Sequence, residues 1–347
     1  MNQVVSKTIN IIRFPLMLLI VVIHAYSPGD NTGFNYLQTF FSQVIARIAV
    51  PLFFIISSFL LFFNYSLNRS IIFEKLSKRV KTLLVPFLFW NLVVFGLYLL
   101  LQELPFAQKF SNSNLPVLSD LTFDEYLGFL FIHPIANQFW FIRDLMILVV
   151  LSPLIYLITK KTGILLSLIA LILVSLPQLR EFLEFKWPSL LFFNIGCFLA
   201  LTHKSNYQYL IKGKVLGFLT LIYLIIAGFE TWVYVGRQVY ILFLHYLNII
   251  IGLVIFWNIF LRAIDSRING IFGKAGKYSF IVYAMHVPIN VFVIRLSGLF
   301  LDMSFSGLVT RYLLAILLPV ALSMLSGKIL DKIWPGFYSL IIGNRGQ

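Results

Sequence analysis

Long uncharged apolar runs decide what this chain can fold into. Residues 83–101 and 164–176 carry no charged side chain at all. A helix rises ~1.5 Å per residue, so about 20 apolar residues cross the hydrocarbon core of a bilayer. A soluble helix needs a polar face, and these segments have none. The balance of the chain agrees: 60% of its 347 residues are hydrophobic and 12% charged, against about a quarter charged in a soluble domain. Ten candidate spans follow, at roughly 8–26, 37–63, 83–102, 138–158, 163–178, 188–202, 214–235, 239–261, 278–299 and 308–328. The first run lacks a small-residue cleavage site and reads as a retained helix, not a signal peptide. The one cysteine, Cys197, lies in an apolar run; it excludes a disulfide framework and reads as a packing residue.

A net charge of +14 raises the question of nucleic acid, and the distribution answers it. With the N-terminus in the cytoplasm, most of the 27 Lys and Arg fall in alternate loops: Arg69 to Lys81, Lys160 and Lys161, Lys204 to Lys214, Arg262 to Lys277, and Lys328 to Arg345. The other loops hold only Lys109, Arg180, Lys186 and Arg237. This is the positive-inside pattern, and it predicts ten spans with both termini cytoplasmic. The expected architecture is an all-α, polytopic membrane helix bundle forming one domain over 1–347. A long external loop at about 103–137 has the length of a lid or an acceptor contact. Its stretch Leu121–Ile132 is apolar enough to lie along the interface. No internal repeat and no inverted pair of broken helices marks the chain as a transporter of known architecture.

Ionisable groups inside a bilayer are costly, so each is a functional candidate. Within the spans stand Arg13, His24, Arg47, Arg143, Asp144, Glu230, His286, Arg295 and Arg311. His24 follows Arg13 by eleven residues, ~16 Å along a helix and three turns plus about 20°, so both project from one face. Arg295 and Arg311, near the outer ends, read as snorkelling cations. Asp144 points about 100° away from Arg143 on an ideal helix, toward a cation on another helix such as Arg47. His286 reads either as an interhelical hydrogen-bonder or as part of a site. Ser57 and Ser58 permit close helix approach. These residues describe a polar interior that serves two classes of protein, a transporter or an enzyme joining substrates from opposite sides.

The Arg13–His24 spacing within "INIIRFPLMLLIVVIHAYSPG" resembles the first-helix signature of the bacterial acyltransferase-3 family. "RIAVPLFFIISSFLLF" (47–62) resembles the family's second-helix run, with Ser58 where a Gly is common. "KLSKRVKTLLVPFLFW" (75–90) resembles its basic loop and third helix, "QFWFIRDLMILVVLSPLIY" (138–156) its Trp-Phe helix, and "GKYSFIVYAMHVPI" (276–289) its Tyr-x-x-His helix.

The resemblance implies transfer of an acyl group, usually acetyl, from cytoplasmic acyl-coenzyme A to a hydroxyl of an extracytoplasmic or lipid-linked carbohydrate. The setting it implies is the bacterial inner membrane, with membrane lipids as neighbours and no nucleic acid. Acetyl-coenzyme A or another acyl-coenzyme A is then a donor substrate; no metal and no permanently bound cofactor is expected. In that frame His24 acts as base or transient acyl carrier, and Arg13 holds a donor phosphate. Arg47, Trp140, Arg143, Asp144, Glu230, Tyr283 and His286 are the pocket candidates. Trp140 and Phe141 suit either a sugar face or an interfacial aromatic belt. A polysaccharide transporter or flippase is the competing reading, and a receptor for an anionic ligand is a third.

Overall fold

The computed structural model describes residues 3–104, 116–175, 187–202, 210–237 and 241–344. Among them every regular element is a helix. Seven helices have the length and apolarity to cross a bilayer: α1 (Gln3–His24), α2 (Thr32–Phe62), α3 (Arg69–Glu103) and, later in the chain, Gly213–Arg237, Leu242–Arg262, Ser279–Ser297 and Phe305–Ile333. Between α3 and these lie α4 (Asn137–Val150) and α5 (Ser152–Thr162), which together have the length and apolarity of an eighth crossing but are bent by 70° where they meet. The bend has a cause: Pro153 offers no N–H to the Val149 carbonyl, so the helix cannot run straight on. Next come α6 (Leu165–Ser175) and α7 (Trp187–Thr202). The four long helices already named are then α8 (Gly213–Arg237), α9 (Leu242–Arg262), α11 (Ser279–Ser297) and α12 (Phe305–Ile333), with α10 (Arg267–Gly276) before α11 and α13 (Pro335–Ile341) at the end.

All ten expected spans fall on helices, which makes the protein an all-α polytopic bundle. The count of about ten needs qualification at two of them. The described helices across 163–178 and 188–202 have 11 and 16 residues, short of the ~20 that a full crossing takes. Hydropathy registers apolar character, and it does not register where a helix stops. A second difference lies at 75–81, where a basic loop was expected. This segment is helical and continuous with the third span, started by Asn68, whose side chain accepts from the Ser70 N–H. Of the long external loop, 105–115 lies outside the described residues, as do Lys109, Arg180, Lys186, Lys204 and Arg345. The rest of the loop holds the short helix Phe123–Leu127, closed by a Thr122–Glu125 capping box. That bond holds the exposed Glu125 carboxyl below its ordinary range.

α1 is the axis of the bundle. It packs against α2, α9, α10, α11 and α12, and Ile12, Leu16, Met17 and Val21 are almost wholly buried. Its two polar candidates therefore face protein, not lipid. Beside it, α2 and α7 approach closely where Ser58 meets Gly196. A Cβ at Gly196 would stand 2.8 Å from Ser58 Cβ and closer still to the Ile55 carbonyl oxygen. Gly196→Val is expected to lower stability by about 1–3 kcal/mol, measured as a lower melting temperature of the detergent-solubilised protein. An unchanged melting temperature would contradict this packing.

Prolines inside the long helices leave carbonyls without their helical donor, and side chains supply the replacement. Pro319 cannot serve the Ala315 carbonyl, and buried Asn290 on α11 donates to it at 2.8 Å. The same bond ties α11 to α12. α2 departs from α-geometry through a π-helical stretch at Thr39–Val44 and a 3-10 turn at Ile45–Ile48; such π insertions recur at functional sites.

Candidate active site

His24 is the last residue of α1, and its place is fixed from two sides. Ser42, on the π-helical stretch of α2, donates to the Val22 carbonyl at 2.6 Å and lies 2.7 Å from the Tyr312 hydroxyl of α12. The end of α1 is thus pinned between two neighbours. Against it stands His286 of α11: the ring centroids are 5.0 Å apart and the planes cross at 68°. His286 is 0% exposed. Its Nδ1 lies 2.8 Å from the Tyr283 carbonyl and 3.1 Å from that of Val282. Both are acceptors only, so Nδ1 carries the proton and Nε2 is the bare nitrogen. That Nε2 is buried without a hydrogen-bond partner, an unusual condition for a polar atom in a protein interior.

A cavity of about 350 Å³ opens toward the other end of α1. Arg13, Arg79 and Lys277 give it three cations, and no acidic side chain lines it. Neither guanidinium pairs with a described residue. Lys277 reaches Asp331 at 3.4 Å and lies 4.7 Å from the centre of the Tyr278 ring. Its bond to Tyr278, and after it Asp331, holds the ammonium above its ordinary pKa and so keeps it charged. Ser57, Ser279 and Asn344 add polar groups, while Met17, Phe141 and Phe280 make an apolar side. Tyr283 joins the two regions: it lines the cavity, and its ring centroid is 6.2 Å from that of His286. Arg13 on the cavity and His24 beside His286 are thus linked through the Tyr283 ring. An assembly of three cations, two of them without countercharge among the described residues, suits a polyanionic ligand.

The other candidates divide. Arg143 and Asp144 are buried and bind each other, Nη2 to Oδ1 at 2.8 Å and Nε to Oδ1 at 3.0 Å. Asp144 was expected to pair with a cation on another helix such as Arg47; its bound cation is instead the adjacent Arg143, whose long guanidinium arm folds back over it. Ser189 of α7 donates to the second carboxylate oxygen at 2.9 Å, and Arg143 also donates to the Ile132 carbonyl. This cluster clamps the end of the 103–137 loop to α4 and α7. Trp140 packs near Phe54, and Phe141 stands edge-on to it and lines the cavity.

Arg47 bonds Gln43 one turn away. Glu230 is buried against His245 at 2.6 Å and Asn248 at 3.2 Å, which joins α8 to α9. Arg311 reaches the Met303 sulfur at 3.2 Å near the N-terminal end of α12. Ser58 donates to the Phe193 carbonyl in the α2–α7 contact, whereas Ser57 faces the cavity.

Four site residues escaped the sequence reading. His245 carries a readable signal, an ionisable group inside an expected span. Arg79 and Lys277 stood in basic stretches that topology explained completely. Gln138, described below, is uncharged.

With the geometry established, known proteins supply the class. The profile of a family described as an acyltransferase domain, acyltransferase-3, matches residues 6–328. The succinoglycan biosynthesis protein ExoH of Rhizobium meliloti (strain 1021) is 26% identical over 371 residues, covering 99% of this chain and 94% of the relative. No solved structure matches the chain. The match spans the first-helix Arg13 and His24, the three cations of the cavity and the His286 helix alike, and the protein belongs to the acyltransferase-3 family of membrane acyltransferases.

Proposed function

We propose that the protein transfers an acyl group, acetyl by preference, from acyl-coenzyme A to a carbohydrate hydroxyl on the far side of the membrane. One observation carries this reading: a histidine pair joined through Tyr283 to a cavity with three cations. The phosphates of coenzyme A are the polyanion such a cavity suits. Arg13, Arg79 and Lys277 hold them at the cytoplasmic end, and the pantetheine arm runs beside α1. The ~16 Å of helix between Arg13 and His24 matches the reach of such an arm. A carbohydrate acceptor is supported by the relative, whose name places it in succinoglycan biosynthesis.

In the transfer step, the unprotonated imidazole nitrogen of His24 takes the proton of the attacking sugar hydroxyl. The oxygen bonds to the thioester carbonyl carbon, and the C–S bond breaks. The imidazolium then returns its proton to the departing thiolate, so no net proton is consumed. The imidazolium that His24 becomes stands beside His286, with 5.0 Å between ring centroids. The bare Nε2 of His286 is the buried acceptor that this reading gives it, in the role that steadies the histidine of a catalytic triad.

The experiment is transfer of radiolabel from acetyl-coenzyme A to glycan in membranes of the native host, with succinyl-coenzyme A as a second donor. Label in the glycan supports the reading. Passage of glycan across the membrane without any donor would favour a transporter. His286→Ala is expected to slow transfer by about 10²-fold, the order of effect of a misplaced catalytic group. A wild-type rate in that variant would return His286 to a structural role.

A further inference from the structure

α11 carries Pro288 two residues after His286, and this has a local consequence. Pro288 has no N–H, so the Ala284 carbonyl lacks its helical donor. Gln138, in the 3-10 turn that starts α4, fills the gap: its Nε2 donates to the Ala284 carbonyl at 3.0 Å. In return the Tyr283 hydroxyl donates to the Gln138 backbone carbonyl at 2.6 Å. Three successive carbonyls of one turn are thereby engaged. Those of Val282 and Tyr283 take the His286 ring, and that of Ala284 takes Gln138. A displacement of this turn moves the His286 ring with it.

The orientation of the carboxamide is settled by chemistry, since a carbonyl only accepts and the NH2 end must face Ala284. Its other end, Oε1, is then buried without a partner in a side chain that is 2% exposed. Leaving such an acceptor unmatched is unfavourable, and a side chain kept only for packing would not carry it. The turn holding Gln138 is itself fixed from outside: Arg143 donates to the Ile132 carbonyl, and the Ala136 N–H donates to Asn91 Oδ1 at 3.4 Å.

We infer that Gln138 is a positioning residue for the histidine pair, setting His286 against His24 through the Ala284 carbonyl that Pro288 leaves open. The inference rests on the acyl-transfer reading above.

The test measures kcat and KM for radiolabelled acetyl-coenzyme A in native-host membranes, for Gln138→Met alone and in a Pro288→Ala background. Gln138→Met is expected to lower kcat by about 10-fold or more, with KM for the donor unchanged. Pro288→Ala restores an N–H at position 288, so adding Gln138→Met to it is expected to change kcat by less than about 2-fold, the signature of coupled sites. Should Gln138→Met alone fail to fold, this double variant carries the test, because its Ala284 carbonyl again has a donor. An equal loss in both backgrounds, a wild-type rate in Gln138→Met, or a loss confined to KM would overturn the inference. Wild-type membranes that transfer no label defeat the acyl-transfer reading itself, a result distinct from these.

Discussion

Replacing His24 with alanine is expected to lower acyl transfer by about 10²- to 10⁴-fold, the range of a single general base, while the protein stays folded in the membrane. The reason is geometric. His24 is only half buried at the end of α1, and it stands 5.0 Å from a second imidazole whose Nδ1 is committed to backbone carbonyls. His286 is thereby fixed as a bare-nitrogen acceptor and is itself fully buried. Of the pair, His24 is the partly exposed imidazole, and so the one that a substrate hydroxyl can reach. Loss of one imidazole at a helix end removes little packing, so melting temperature and yield should stay near wild type. Quantifying labelled glycan from His24→Ala membranes checks the point, and a wild-type rate in a folded variant removes His24 from the mechanism.

The second large effect concerns the donor. The Arg13→Ala/Arg79→Ala double variant is expected to raise KM for acyl-coenzyme A by about 100-fold or more. Hydrogen bonds to charged groups contribute about 1.5–3 kcal/mol each, and two guanidinium groups are removed together. Neither has a protein partner to release among the described residues, so the loss should fall on ligand binding and not on the fold. Arg13→Lys keeps the charge and loses the planar fork, so it should fall between wild type and alanine. Rising ionic strength should also raise the wild-type KM, since a partly open cationic cavity is screened by salt. An unchanged KM in the double variant would move the donor elsewhere.

Much of this was legible in the sequence because the bilayer imposes simple rules. Apolar runs of the right length marked the helices, and the cost of buried charge singled out Arg13 and His24. Their spacing along one helix requires no tertiary information. What the sequence withheld depends on contacts between distant segments. Nothing local places His286 beside His24, because α1 and α11 lie at opposite ends of the chain. Arg79 could not be told from its basic neighbours, since charge alternation explains all of them and only packing turns one inward. Asp144 does reach another helix, at Ser189, but its pairing with Arg143 was missed because an ideal-helix projection ignores how far a guanidinium can fold. Gln138 bears no charge, so the energetic argument that flags ionisable groups in membranes is silent about it. Pro288 offered a trace, an open carbonyl in need of a donor, but not the donor's identity. The two short helices α6 and α7 show the limit of hydropathy in the same way.

The central claim is that the bundle exists to acylate a glycan across a membrane, and cells can be asked directly. Mass spectrometry of surface glycan should be compared between cells with the intact gene, without it, and with His24→Ala. The expected result is loss of one acyl unit per modified residue in the last two, with the polymer still at the surface in normal amount. Unchanged acylation with the polymer missing from the surface would contradict the claim and make the polar interior a path for transport.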